Sequence, residues 1–291
     1  MRAVRARPQR PPEQRTHAER LASRDGYFAP ESVIRQVGNT PVTPFLGGGS
    51  AVLLQVAHPL VATGIAEHSD YRHDLWRRLA RTLRALYLIT FGSKAEAERA
   101  GAAVQAVHAH VRGTTRTRLA GFPAGTPYSA SDPELMLWVH ATLVEASLSA
   151  YQRFQQPLSP DDQERYYQEM TVVARLFGTP VAVIPRTLAD FRDYFRAQIE
   201  STTIAVTPIA QEIAEVILRA PLPLPLQMLA PAHRLATIAQ LPPRLRREYG
   251  LRWTPLHALL LPVAARSVRL IAWPMLLAAA RLRPPAAAAA A

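Results

Sequence analysis

Nine histidines and no cysteine bound the chemistry open to this chain. Without thiols there is no disulfide, thiolate metal site, iron–sulfur cluster or cysteine nucleophile. Imidazole remains as the main soft ligand and near-neutral base. Helical phase singles out a few positions. His108 lies beside Val104 and Val111 on the buried stripe expected from Ala100, Val104, Val107 and Val111, whereas His110 falls further out on the opposite edge. His140 is near the middle of a stripe made with Met136, Leu143, Ser147, Tyr151 and Phe154. Arg78 and Thr82, spaced i and i+4, share a face on the flank of the stripe Leu75, Leu79, Leu83 and Leu86, while Arg77, Arg81 and Arg84 fall on the solvated side. His58, in Ala57-His58-Pro59, lies on a helix that is apolar all round.

Each position has a plain structural counterpart. A histidine on an apolar face is most often a satisfied core residue. His58 would cap the kink made by Pro59, and Arg78 would pair with a core carboxylate such as Glu67 or Glu145. Other site types are excluded. Gly47-Gly48-Gly49-Ser50 lacks the Lys-Ser/Thr ending of a phosphate loop, no Gly-x-Ser-x-Gly elbow exists, and neither His-Glu-x-x-His nor Glu-x-x-His occurs. An all-helical interior with histidines on apolar faces suits a haem pocket, and equally an ordinary helical core.

The elements that must position these residues are helical almost throughout. Helices are expected over about 50–67, 70–91, 95–111, 132–156, 159–178, 187–199 and 207–219, with 113–131 as loop. The reading is an all-α, single multi-helix domain over 25–250, a Pro-rich helical C-terminal annex over 251–285, a disordered basic tail over 1–24 and a low-complexity tail over 286–291. Charge is segregated. The total is +12, but 1–24 carry +5, 219–291 carry +9 and 25–218 carry −2. The basic ends hold no RNA-binding aromatic signature and no recognition-helix pattern, so nucleic acid is not an expected partner, and no protein partner is expected either. The stretch 253–280 is apolar but broken by His257, Arg266, Arg269, Pro262 and Pro274, short of the roughly 20 uninterrupted apolar residues of a membrane span. It reads as helices packed on the domain or as an interfacial contact with an anionic membrane, with Trp253 and Trp273 at the boundary. The first 24 residues show no apolar signal region, so a cytoplasmic protein is expected, with peripheral membrane association as the second reading of its C-terminus.

The stretches GGGSAVLLQVAHPLVATGIAEHSD, RRLARTLRALYLITFG, AVHAHVRG, YSASDPELMLWVHATLVEASLSAYQRF and LPPRLRREYGLRW together resemble one family. It is that of rubber oxygenase (latex-clearing protein) and the fungal endoplasmic-reticulum-bound, MpaB-like oxygenase of mycophenolic acid biosynthesis. The resemblance runs from about residue 38 to about 253. It implies an all-α, partly globin-like fold and one b-type haem with iron. The family's His-x-x-Val-x-Gly motif is here His108-Ala109-His110-Val111-Arg112-Gly113, which implies His108 as the proximal iron ligand. Its Arg-x-x-x-Thr pair falls on Arg78 and Thr82. Where rubber oxygenase has a lysine able to reach the sixth iron position, this chain has Arg81, whose guanidinium has no lone pair to give. The expected function is a haem-dependent oxygenase that modifies or cleaves an apolar lipid or terpenoid alkene with dioxygen. Rubber itself is not the expected substrate, since no secretion signal is read. In this expectation Arg78 pairs with a haem propionate or orders a core carboxylate, Thr82 bonds near the cofactor, and His140 and His58 line the pocket. The alternative is a non-catalytic lipid- or terpenoid-binding helical protein at the membrane surface.

Overall fold

Helix starts follow capping residues written in the sequence. The Asp132 carboxylate accepts the Glu134 and Leu135 N–H groups, and Pro133 takes the first helical position. Ser93 with Glu96, and Thr187 with Asp190, form reciprocal capping boxes. The computed structural model describes residues 25–40, 42–71, 75–219 and 226–272, apart from the side chains at 42, 75–78, 226, 271 and 272. The expected tails, Trp273 and the side chains of Arg77 and Arg78 lie outside the described residues.

Among the described residues the order is α1 (Val33–Gly38), α2 (Val42–Val56), α3 (Pro59–His68), α4 (Leu75–Phe91), α5 (Lys94–His110), β1 (Arg112–Thr114), β2 (Pro127–Ser129), α6 (Pro133–Phe154), α7 (Pro160–Leu176), α8 (Leu188–Glu200), α9 (Pro208–Arg219), α10 (Ala230–Ala239), α11 (Pro243–Glu248) and α12 (Pro255–Ser267). The chain is an all-α domain with one small sheet. That sheet is a departure from the expected loop over 113–131: β1 pairs antiparallel with β2, with Gly113 opposite Tyr128.

α2 is central and packs most extensively on α6, with α9 and α10 on its other sides. It runs straight through Gly47, Gly48 and Gly49, where a helix start near Ser50 was expected. The reason is close packing. A Cβ at Gly47 would sit 2.9 Å from the Ala146 carbonyl oxygen, and one at Gly49 would sit 2.5 Å from the Thr237 hydroxyl. Glycine's helix penalty of about 1 kcal/mol is offset by the contact it permits. At Ala57-His58-Pro59 the chain bends by 105° into α3. The Pro59 ring removes a helix N–H, and Trp138 on α6 donates its indole N–H to the Gln55 carbonyl at 3.3 Å. No single helix among the described residues is long and apolar enough to cross a membrane.

Phe28, Ile34, Ile89, Val144, Tyr166, Tyr167 and Phe191 join α1, α4, α6, α7 and α8 in the largest core cluster. The C-terminal helices dock on the other side of α2. Arg244 on α11 spans that junction. Its Nε meets Glu248 at 2.7 Å, its Nη1 donates to the Ser201 carbonyl at 2.8 Å and to that of Ile199, and its Nη2 donates to that of Ile204 at 2.7 Å. One planar guanidinium thus satisfies the carbonyls left open as α8 ends.

Candidate functional site

His108 is set by the burial phase of α5. Ala97, Ala100 and Gly101 are buried, and Val104, His108 and Val111 continue that line half-buried. Val107 does not belong to it, being 62% exposed, so the expected stripe is corrected by one position. The cause is contact with α7: a Cβ at Gly101 would lie 2.4 Å from the Leu176 carbonyl oxygen, which fixes which side of α5 faces inward. The correction moves His108 to the middle of the inward line, while His110 is exposed and bonds the Ala106 carbonyl at 2.7 Å. His108 Nδ1 is buried with no hydrogen-bond partner among the described residues. Burial lowers its pKa, so the ring is neutral near pH 7.

His140 is buried on α6, and neither ring nitrogen has a partner among the described residues. Desolvation pushes its pKa down to about 4. An imidazole with two unbonded nitrogens in an apolar core costs free energy unless something else satisfies it. His58 behaves differently. Its Nδ1 accepts the Leu60 N–H at 3.3 Å and so caps α3, and its ring lies 5.6 Å from that of Phe122. Its pKa is also pushed to about 4, chiefly by burial, against an opposing pull from Asp132. The cap explains His58 without any ligand.

Thr82 is exposed, contrary to its expected place on the core flank. α4 buries only its last turn fully, at Ile89, Thr90 and Phe91, while Arg81 and Arg84 are exposed beside Thr82. The described charged stretch from Arg81 to Arg84 therefore stays in solvent. Arg78, one turn before Thr82, has its side chain outside the described residues. Its two expected carboxylate partners face other charges: Glu67 lies 3.6 Å from Arg116, and Glu145 feels Arg192 and Arg153 while burial raises its pKa. α4 packs on α5, which sets Thr82 and His108 on neighbouring helices. His140 and His58 belong to the α2–α3–α6 side. A surface depression at α1, lined by Pro30, Glu31, Gln36 and Asn39, holds none of these residues.

Sequence reading missed a cluster at the end of α3. The Tyr128 hydroxyl donates to Glu67 Oε2, and His68 Nε2 lies 3.1 Å from the same phenol oxygen. Burial and Glu67 raise the Tyr128 pKa to about 12, so it stays a donor. The ring also explains the glycine that closes the His108 segment, because a Cβ at Gly113 would lie 2.6 Å from the Tyr128 hydroxyl. This latch ties the hairpin, and with it the end of α5, to α3. Only the hairpin pairing reveals it, and no alternating pattern announced a strand of three residues. Gly113→Ala is expected to cost about 1–3 kcal/mol by displacing a ring held at its far end. Urea unfolding measures this, and an unchanged midpoint would show that the ring yields freely.

Among the described residues no group of three or more His, Asp or Glu side chains converges as a metal site. Haem iron needs only one protein ligand on its proximal side, and the neutral His108 with its unpartnered buried nitrogen meets that requirement.

Comparison with known proteins places these features. A family model described as ER-bound oxygenase mpaB/B′/rubber oxygenase, catalytic domain, matches residues 34–273. Two uncharacterized proteins, from Mycobacterium bovis and Mycobacterium tuberculosis, are each 26% identical over 209 residues, covering 70% of this chain and 78% of theirs. No solved structure matches significantly.

Proposed function

The chain belongs to the catalytic-domain family of the ER-bound oxygenases and rubber oxygenases, and from that premise we propose that it is a haem b-dependent oxygenase acting on an apolar alkene. The observation that carries this reading is His108: inward on α5, neutral, with a buried Nδ1 that no group among the described residues satisfies. Haem b, when bound, supplies an iron centre at which dioxygen is activated for attack on a carbon–carbon double bond.

The chain's own residues do the rest. His108 would hold the iron through a neutral imidazole lone pair, which the lowered pKa keeps free of protons. Arg81 offers none, because a guanidinium holds its proton. Arg78 would supply a cation for a haem propionate, and the exposed Thr82, one turn further along α4, would offer a hydroxyl at the solvent edge. His140 would contribute a neutral hydrogen-bonding nitrogen in a buried apolar setting, and His58 holds the start of α3 in place. The apolar substrate class is taken from the rubber oxygenases of the family, since rubber is an unsaturated hydrocarbon.

The test is isotopic. The chain, supplied with haem and a reductant, is incubated with a terpenoid alkene under ¹⁸O-labelled dioxygen. Label in an oxidised product, found by mass spectrometry, is the expected result. Label absent from every product, with haem retained, argues for a binding protein without catalysis.

A further inference from the structure

We propose that the outward face of α12 is a docking surface for an anionic lipid membrane, independent of the haem reading. α12 is apolar on two sides. Its inner side is anchored, with Leu261, Ala265 and Val268 of the helix and following turn packing on Leu46, Phe154 and Leu229. Among the described residues nothing packs over its outer side. Leu256, Leu259, Leu260 and Val263 are 61%, 73%, 45% and 60% exposed, and Leu270 in the next turn is 76% exposed. Their spacing, at i, i+3, i+4 and i+7, makes one continuous aliphatic strip. An exposed strip of this kind marks an interaction site.

Charge selects the occupant. Arg252 and Arg266 are exposed beside the strip, Arg269 is exposed with its guanidinium on the Gln155 carbonyl, and no acidic residue follows Glu248 in the sequence. A second copy of the chain would bring these arginines against one another. A surface of anionic phospholipid instead accepts the leucines among its acyl chains and the guanidinium groups among its phosphates. The face is also held rigidly. Arg246 covers the Trp253 ring at 5.0 Å, Trp253 stacks on His257 at 5.6 Å, and His257 closes the capping box with Thr254. The cost of ordering this helix is therefore met by its packing before it meets lipid.

The experiment is flotation of the full chain with vesicles of phosphatidylglycerol and phosphatidylcholine in equal parts, or of phosphatidylcholine alone. The chain is expected to float with the mixed vesicles at low salt, not with pure phosphatidylcholine, and to be partly released by high salt. Leu256→Gln/Leu259→Gln/Val263→Gln should lower the bound fraction about tenfold or more. Val181→Gln, at an equally exposed residue elsewhere (68%), should not. Arg252→Gln/Arg266→Gln should weaken binding and flatten its salt dependence. All substituted side chains are exposed, and matching thermal melts verify that the variants fold. No flotation with mixed vesicles at low salt, equal flotation with both compositions, or full binding by the triple variant overturns the proposal. So does a dimer that the triple variant dissolves while neither protein floats, which would assign the strip to a second copy.

Discussion

Acidification from pH 7 to pH 5 is expected to destabilise the haem-free protein by about 4 kcal/mol through His58 and His140, about 2 kcal/mol from each. Burial holds both imidazoles near a pKa of about 4, well below the ordinary histidine value of 6.5. Between those values the unfolded chain takes up protons that the folded chain refuses. Stability is thus fully present near pH 7 and falls as pH drops through the window from 6.5 to 4. Below about 4 both states are protonated and the loss levels off. His108 and His233, whose pKa values burial also lowers, add in the same direction. Glu145 and Glu169 oppose it, because burial raises their pKa values and the folded state then gains protons as pH falls. A single variant isolates one contribution. His140→Leu removes a buried titratable ring and replaces it with a side chain that needs no partner. Urea unfolding should show the variant gaining about 2 kcal/mol on the wild type between pH 7 and pH 5. Parallel pH profiles for the two proteins would mean that His140 is not held neutral by burial.

The helices were legible because their signals are local. Asp132-Pro133 and Ser159-Pro160 announce α6 and α7 by chemistry within two residues, and the structure starts both helices there. The glycines before Ser50 misled for a physical reason. Gly47 and Gly49 read as a loop when only their own flexibility is weighed, and become helix-packing positions once Ala146 and Thr237 are brought beside them. Such contacts span about a hundred residues or more and leave no mark in a local window. The site divides in the same way. His108 over His110 follows from helical phase alone, yet the inclusion of Val107 in the buried stripe failed because α5 faces inward through Gly101. Thr82 was misplaced because periodicity describes a helix's faces but not where along its length the core ends. The Glu67–Tyr128 latch could not be read at all, since it joins α3 to a three-residue strand by side chains 61 positions apart.

Loss of haem on replacing His108 is the second large effect expected, and it follows from ligand number. A haem held by one axial imidazole loses its only covalent bond to the chain when that imidazole is removed. Any apolar contacts of the porphyrin would remain, but they would not fix the iron. His110 is two residues away, exposed, and engaged with its own helix through the Ala106 carbonyl, so it is not placed to substitute. Its replacement removes no inward group. The measurement is haem content per chain, taken from the Soret absorbance and the pyridine haemochrome spectrum of wild type, His108→Ala and His110→Ala reconstituted side by side. The account expects one haem per chain in the wild type, most of it kept in His110→Ala, and at least about a tenfold lower occupancy in folded His108→Ala. Equal haem content in wild type and His108→Ala, or no Soret band in any of the three, would contradict it.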